Sequence, residues 1–171
     1  MALVLTVLAL AAPIAAGTLE DLLWDLQLVP LEGPAPAFEL TALDGARVSL
    51  ADFRGRPVLL YFWLASCPYC TQELPSVIEQ VRRDYEPRGL AVLAVNIEED
   101  RAIVAAWVRV HKVTSRVLLD PTGAANRAYR VIGTPTVFLI GRDGHLVAKA
   151  ISTRPWTGET GRSVFQALLA R

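Results

Sequence analysis

The chain has only two cysteines, two histidines and one methionine among its 171 residues. Two cysteines allow at most one disulfide, which excludes a small domain held together by a cystine framework. A four-ligand zinc or copper site would have to gather His111 and His145 from unrelated segments, so no metal is expected, and no cofactor either. Basic charge is not in excess, since Lys plus Arg and Asp plus Glu each number 17. That balance argues against nucleic acid as a partner, because phosphate contacts need surplus cations. Internal repeats and low-complexity tracts are absent.

Charge is also missing from the start. The first 19 residues, MALVLTVLALAAPIAAGTL, carry none, and no Lys or Arg occurs before Arg47. As a helix this run would reach roughly 28 Å, close to the ~30 Å apolar core of a bilayer. Pro13 and the small residues of AAPIAAG resemble the end of a signal-peptide apolar region, with cleavage after Ala16, although a basic leading region is lacking. Residues 1–19 are therefore read as a signal peptide or N-terminal membrane anchor, and the protein is expected to be exported from the cytoplasm. Residues 20–35 read as a short amphipathic segment and linker, and 36–171 as one domain.

What is present is apolar: 53% hydrophobic against 20% charged residues, enough to build a core. FELTALDGARVSL alternates around Asp44-Gly45, a hairpin signal. PVLLYFW and LAVLAVNI are continuous apolar runs, as expected of strands covered on both faces. Between them, Leu74, Val77, Ile78, Val81 and Tyr85 recur at helical spacing, with Pro75 placed to kink the helix. EEDRAIVAAWVRVH predicts a helix, RVLLD a strand, PTGAANRAYRV a short helix. PTVFLI and HLVAKAI predict strands joined by a turn at Gly141–Gly144, and a last helix follows from about Thr160. This order predicts an α/β sandwich whose central mixed sheet is flanked by helices.

Cys67 and Cys70 form CPYC, where the first central strand hands over to its helix. If Cys67 caps that helix, its sulfur faces unpaired amides and a partial positive charge that favour a thiolate, and Pro68 loses nothing at the first helical position. Lowering a thiol pKa from ~8.5 to ~7 raises the thiolate fraction at neutral pH from roughly 3% to about half. Cys70, one turn further in, would resolve a mixed disulfide on Cys67. A permanent disulfide would close almost no loop and stabilise little, so a redox couple is favoured over a structural bridge or a metal site. Glu73 shares a helix face with Cys70 and, if buried, could relay the proton that Cys70 must lose.

Several ordered motifs together resemble the TlpA/ResA-like members of the thioredoxin superfamily: PAFELTALDGARVSLADFRGRPVLLYFW, WLASCPYCTQELP, GLAVLAVNIEED and LLDPTGAANRAYRVIGTPTVFLIGRDG. The resemblance covers about Pro34 to Arg171. It implies a thioredoxin-like fold with an extra N-terminal β-hairpin, Cys67 as nucleophile, Cys70 as resolving thiol, a buried acid at Glu73 and a cis-proline at Pro135. It also implies an exported monomer that reduces disulfides in proteins such as apocytochrome c, or metal-site cysteines, and draws on a membrane thiol donor. Trp63, Pro68, Tyr69, Thr134 and Pro135 are the candidate substrate-binding residues, with Trp63 packing beside the site rather than taking part in chemistry. The chain departs from many members in carrying Ser66 rather than Trp before the first cysteine. CPYC itself is similar to glutaredoxins, but those short domains lack the hairpin and the LAVLAVNIEED stretch. A peroxiredoxin-type peroxidase and a copper-delivery module are the alternatives.

Overall fold

The computed structural model describes residues 18–171; the rest of the apolar run, residues 1–17, lies outside the described residues. Eight strands form one mixed sheet in the order β1-β8-β7-β4-β5-β6-β2-β3. They are β1 (Val29–Pro30), β2 (Glu39–Ala42), β3 (Arg47–Ser49), β4 (Val58–Trp63), β5 (Ala91–Ile97), β6 (Arg116–Asp120), β7 (Thr136–Ile140) and β8 (Leu146–Ile151). β4, β5 and β6 run parallel, while β7 and β8 continue antiparallel on the other side of β4. The fold is thioredoxin-like α/β. The hairpin expected around Asp44-Gly45 is β2–β3, and β2 docks antiparallel on β6.

All six residues of β4 are buried, and they divide by parity. Leu59, Tyr61 and Trp63 enter one core with Cys67, Cys70, Leu74, Val164 and Phe165; Val58, Leu60 and Phe62 enter the other with Phe38, Phe53 and Tyr129. The first core lies beneath α1 (Leu19–Asp25), α2 (Pro68–Glu73), α3 (Glu79–Tyr85), α4 (Arg101–Val110) and α6 (Glu159–Ala170), and the short α5 (Ala124–Ala128) covers the second. Two successive β-helix-β crossovers, β4 to β5 and β5 to β6, step the same way across the sheet. Right-handed connections therefore put α2–α3 and α4 on one face.

Two stretches differ from the sequence reading. Pro75 produces a π turn, Leu74–Ile78, between α2 and α3, in which the Glu79 N–H donates to Leu74 O. Widening the turn accommodates a proline that cannot donate. In the segment read as amphipathic piece and linker, the helix stops at Asp25 and Gln27 adopts φ 55. The chain then lays Val29–Pro30 along the outer edge of β8, where proline needs no ladder partner. Leu23, Leu26 and Leu28 are buried in the main core, so this segment packs as part of the folded body.

Candidate active site

The site forms where β4 ends, the position in an open parallel sheet at which neighbouring strands lead away in opposite directions. Cys67 caps α2 with extended backbone, Pro68 is the first helical residue, and Cys67 Sγ accepts the Cys70 N–H at 3.2 Å. Cys67 and Cys70 are joined as a disulfide with Cα atoms 5.2 Å apart. Cys67 keeps 8% exposure and Cys70 none. Only the outer sulfur can be reached by another molecule.

The Thr134-Pro135 peptide is cis, and the Thr134 carbonyl lies 3.5 Å from Cys67 Sγ. Pro68, Tyr69, Ile132 and Gly133 are exposed around it, Tyr69 by 61% and Ile132 by 84%. The structure thus brings Cys67, Pro68, Tyr69 and Thr134 together on one rim, whereas Pro135 is buried behind Thr134. Trp63 is off the rim as well: it is fully buried and packs on Trp107 with ring centroids 4.6 Å apart. It offers no surface to a substrate and supports the dithiol from below, because its β4 position points into the core.

Glu73 is buried beneath the dithiol, with one oxygen accepting the Arg154 N–H at 3.0 Å. Burial raises its pKa; the Arg154 amide, the Tyr61 hydroxyl and the Trp156 indole N–H offset this in part. None of the last two closes a full hydrogen bond, and Glu73 Oε2, Tyr61 OH and Trp156 Nε1 are all buried without a partner. Such a carboxyl holds its proton more readily than an exposed one and sits on the Cys70 side of the pair.

Sequence reasoning missed Glu99. Its carboxylate accepts the Ala65 and Ser66 amides and the Ser66 hydroxyl, tying down the loop before Cys67. The signal was the parallel pairing of two apolar runs. Trp63 lies opposite Asn96, so the residues just past β5 must meet the residues just past β4. Among the described residues no group of three or more His, Cys, Asp and Glu side chains could hold a metal ion. His111 is occupied by stacking on Trp107 at 4.0 Å.

Together, fold and site define a thioredoxin-like protein with a C-x-x-C pair at a helix start. The model of the AhpC/TSA family matches residues 31–149, and the chain belongs to that family. It is 34% identical over 113 residues to thiol-disulfide oxidoreductase ResA of Bacillus thuringiensis subsp. konkukian, covering 66% of this chain and 65% of that protein. Just under two thirds of that relative is therefore spanned. With ResA of Geobacillus kaustophilus it shares 34% identity over 131 residues, 77% of this chain and 74% of the relative. Among solved structures it is similar to a thiol:disulfide interchange protein DsbE from Chlorobium tepidum, with TM-score 0.75 and 31% identity over 82% of this chain and 99% of the other.

Proposed function

We propose that the protein is an exported thiol-disulfide oxidoreductase that reduces disulfides in extracytoplasmic proteins, with apocytochrome c or metal-site cysteines as the substrate class. The observation that carries the reading is the half-reachable pair: an outer cysteine at a helix start, bonded to a fully buried one, beside the half-buried Thr134 carbonyl.

In the dithiol state, the Cys67 thiolate attacks one sulfur of a substrate disulfide. The S–S bond breaks, one substrate sulfur leaves as a thiolate, and a mixed disulfide forms on Cys67. Cys70 loses its proton to ionised Glu73 and attacks Cys67 Sγ, releasing the second substrate sulfur and closing the Cys67–Cys70 disulfide. The substrate gains two electrons from the dithiol, and its two thiolates take up one proton from Glu73, which is ionised again, and one from solvent. A membrane thiol donor then restores the dithiol. The exposed Tyr69 and Ile132 suit an extended substrate with apolar residues near its cysteine, paired along the Thr134 backbone. We further place the protein as a monomer outside the cytoplasm. No helix among the described residues is long and apolar enough to cross a membrane.

Replacing Cys70 by Ser is expected to leave substrate trapped on Cys67 as a mixed disulfide, visible on a non-reducing gel and released by dithiothreitol. The absence of any such adduct counts against the scheme. Family membership also raises a thiol peroxidase. The residues before Cys67 lack the Pro and Ser/Thr of the P-x-x-x-[ST]-x-x-C pattern common in peroxiredoxins, and rapid turnover of hydrogen peroxide by the purified protein would reverse the assignment.

A further inference from the structure

Glu99 lies two residues past the end of β5 and reaches across to the loop between β4 and α2. Its Oε2 accepts the Ala65 N–H at 2.6 Å and the Asn96 side-chain amide at 2.7 Å; its Oε1 accepts the Ser66 N–H at 3.2 Å and the Ser66 hydroxyl at 3.1 Å. One half-buried carboxylate thus collects four donors, three of them from the two residues that precede Cys67. We propose that Glu99 is a positioning residue that fixes the Cys67 loop and, by its negative charge, biases the Cys67–Cys70 couple toward the disulfide, which makes the dithiol a stronger reductant.

Reduction places a developing negative charge on Cys67 Sγ. The amides at the start of α2 favour that charge, whereas a carboxylate bound at the Ser66 amide, one residue before Cys67, opposes it, since like charges in a partly desolvated site repel. Couples whose reduced form is stabilised become oxidants, and the reverse also holds. The other charged groups nearby do not cancel Glu99. Glu73, under Cys70, has the same sign when ionised; Arg154 directs its guanidinium to the Thr153 and Gln27 carbonyls; Glu98 pairs with Arg127; Asp100 caps α4; His111 stacks on Trp107. Among the described residues no Lys, Arg or His forms an ion pair with Glu99. The inference deepens the exchange function proposed above and rests on it.

The test is equilibration of the full chain with dithiothreitol, an uncharged redox buffer. Its dithiol reduces the Cys67–Cys70 disulfide and becomes the cyclic disulfide, two electrons and two protons passing to the protein. Glu99→Gln is expected to move the equilibrium about tenfold toward the protein dithiol, ~30 mV for a two-electron couple, and to shift iodoacetamide labelling of Cys67 to lower pH. Ser66→Ala keeps the charge and is expected to move the equilibrium less than about twofold. Should Glu99→Gln fail to fold, the unmodified protein provides the readout: its dithiol fraction is expected to rise between 0.05 M and 1 M salt as the repulsion is screened. An unchanged equilibrium, or one moved toward the disulfide, in the variant or on adding salt overturns the inference. A native disulfide that never exchanges with dithiothreitol overturns the exchange function itself, and this inference with it.

Discussion

Glu73 and Glu79 are two buried carboxyls on one kinked helix, on either side of the π turn, and their surroundings drive them in opposite directions. Glu79 is also desolvated, but the Ser115 hydroxyl and amide and the Thr114 hydroxyl and amide all donate to it at 2.5–3.0 Å, so its pKa ends below the usual 4.5. Arg82 adds an ion pair at 3.3 Å. Glu73 has one closed hydrogen bond and one orphan oxygen, and its pKa ends above 4.5. Burial is common to both. What separates them is the number of donors that arrive with it, and the lesson is that a fully satisfied carboxylate fastens a fold while a half-satisfied one stays ready to take up a proton.

The sharpest way to break the contrast is Glu79→Ala. It leaves the Ser115 amide and hydroxyl buried without an acceptor and frees the start of α3 from the residues just before β6. A loss of about 3 kcal/mol is expected in urea unfolding, from several charge-assisted bonds and orphaned donors. Glu73→Gln is expected to cost less than about 1 kcal/mol at pH 7, because it removes a charge that the site barely solvates. Equal losses would show that the two sites do not differ as described.

Next in size is Gly161→Ala. Gly161 lies on α6 against the 152–157 loop, and an added Cβ would lie 2.6 Å from the Trp156 carbonyl carbon. Backbone cannot yield cheaply there, so about 2 kcal/mol of destabilisation is expected. Because Trp156 and Arg154 belong to the same loop, the variant should also disturb Glu73, which Cys70 labelling in the dithiol state would report; Glu79 should be untouched.

The contrast also sets the pH dependence of stability. Glu79 has a folded pKa below its unfolded value, so its contribution is complete above about 4.5 and is lost as pH falls through the lower folded value. Glu73 has a folded pKa above its unfolded value, so the folded state binds the extra proton. Its contribution is complete below about 4.5 and is lost as pH rises through the raised folded value. In a denaturation series against pH, Glu73→Gln should flatten the decline above pH 4.5 and leave the acid limb alone. Glu79→Gln should do the reverse.

Much of this was legible in the sequence. The continuous apolar runs PVLLYFW and LAVLAVNI, the breaks at Gly45 and Gly144 and the helical spacing after Cys70 pointed to the sheet, its hairpins and the interrupted helix, because those signals are local. CPYC at a strand-to-helix junction pointed to the dithiol for the same reason. The π turn was half legible: Pro75 forbids a normal bond, but no rule of spacing says whether a helix will bend or widen. Glu79 was not legible, and Glu99 only through the pairing of the two apolar runs that become β4 and β5. Each is defined by donors on a distant segment, Thr114–Ser115 for one and Ala65–Ser66 for the other; in sequence Glu79 is an ordinary acidic residue within a helical stretch and Glu99 one near a helix start. The turn at Gln27, which sends Val29–Pro30 onto β8, was hidden because a positive φ at a glutamine leaves no mark in composition.

Tyr61→Phe gives the smallest and most selective change. Tyr61 is fully buried on β4, and burial and the neighbouring Glu73 charge both hold its hydroxyl firmly protonated, so it is present as a donor at every accessible pH. That donor favours the charged form of Glu73. Removing it should push the Glu73 pKa further up, and the Cys70-dependent release of a mixed disulfide, followed against pH, should shift to higher pH with its maximal rate changed by less than about threefold. Stability should rise or fall by under about 1 kcal/mol, since an unpartnered buried hydroxyl contributes little. A release profile superimposable on that of the unmodified protein would mean that Tyr61 merely fills space beside Glu73, and that the Trp156 N–H and the Arg154 amide alone set the level at which this carboxyl gives up its proton.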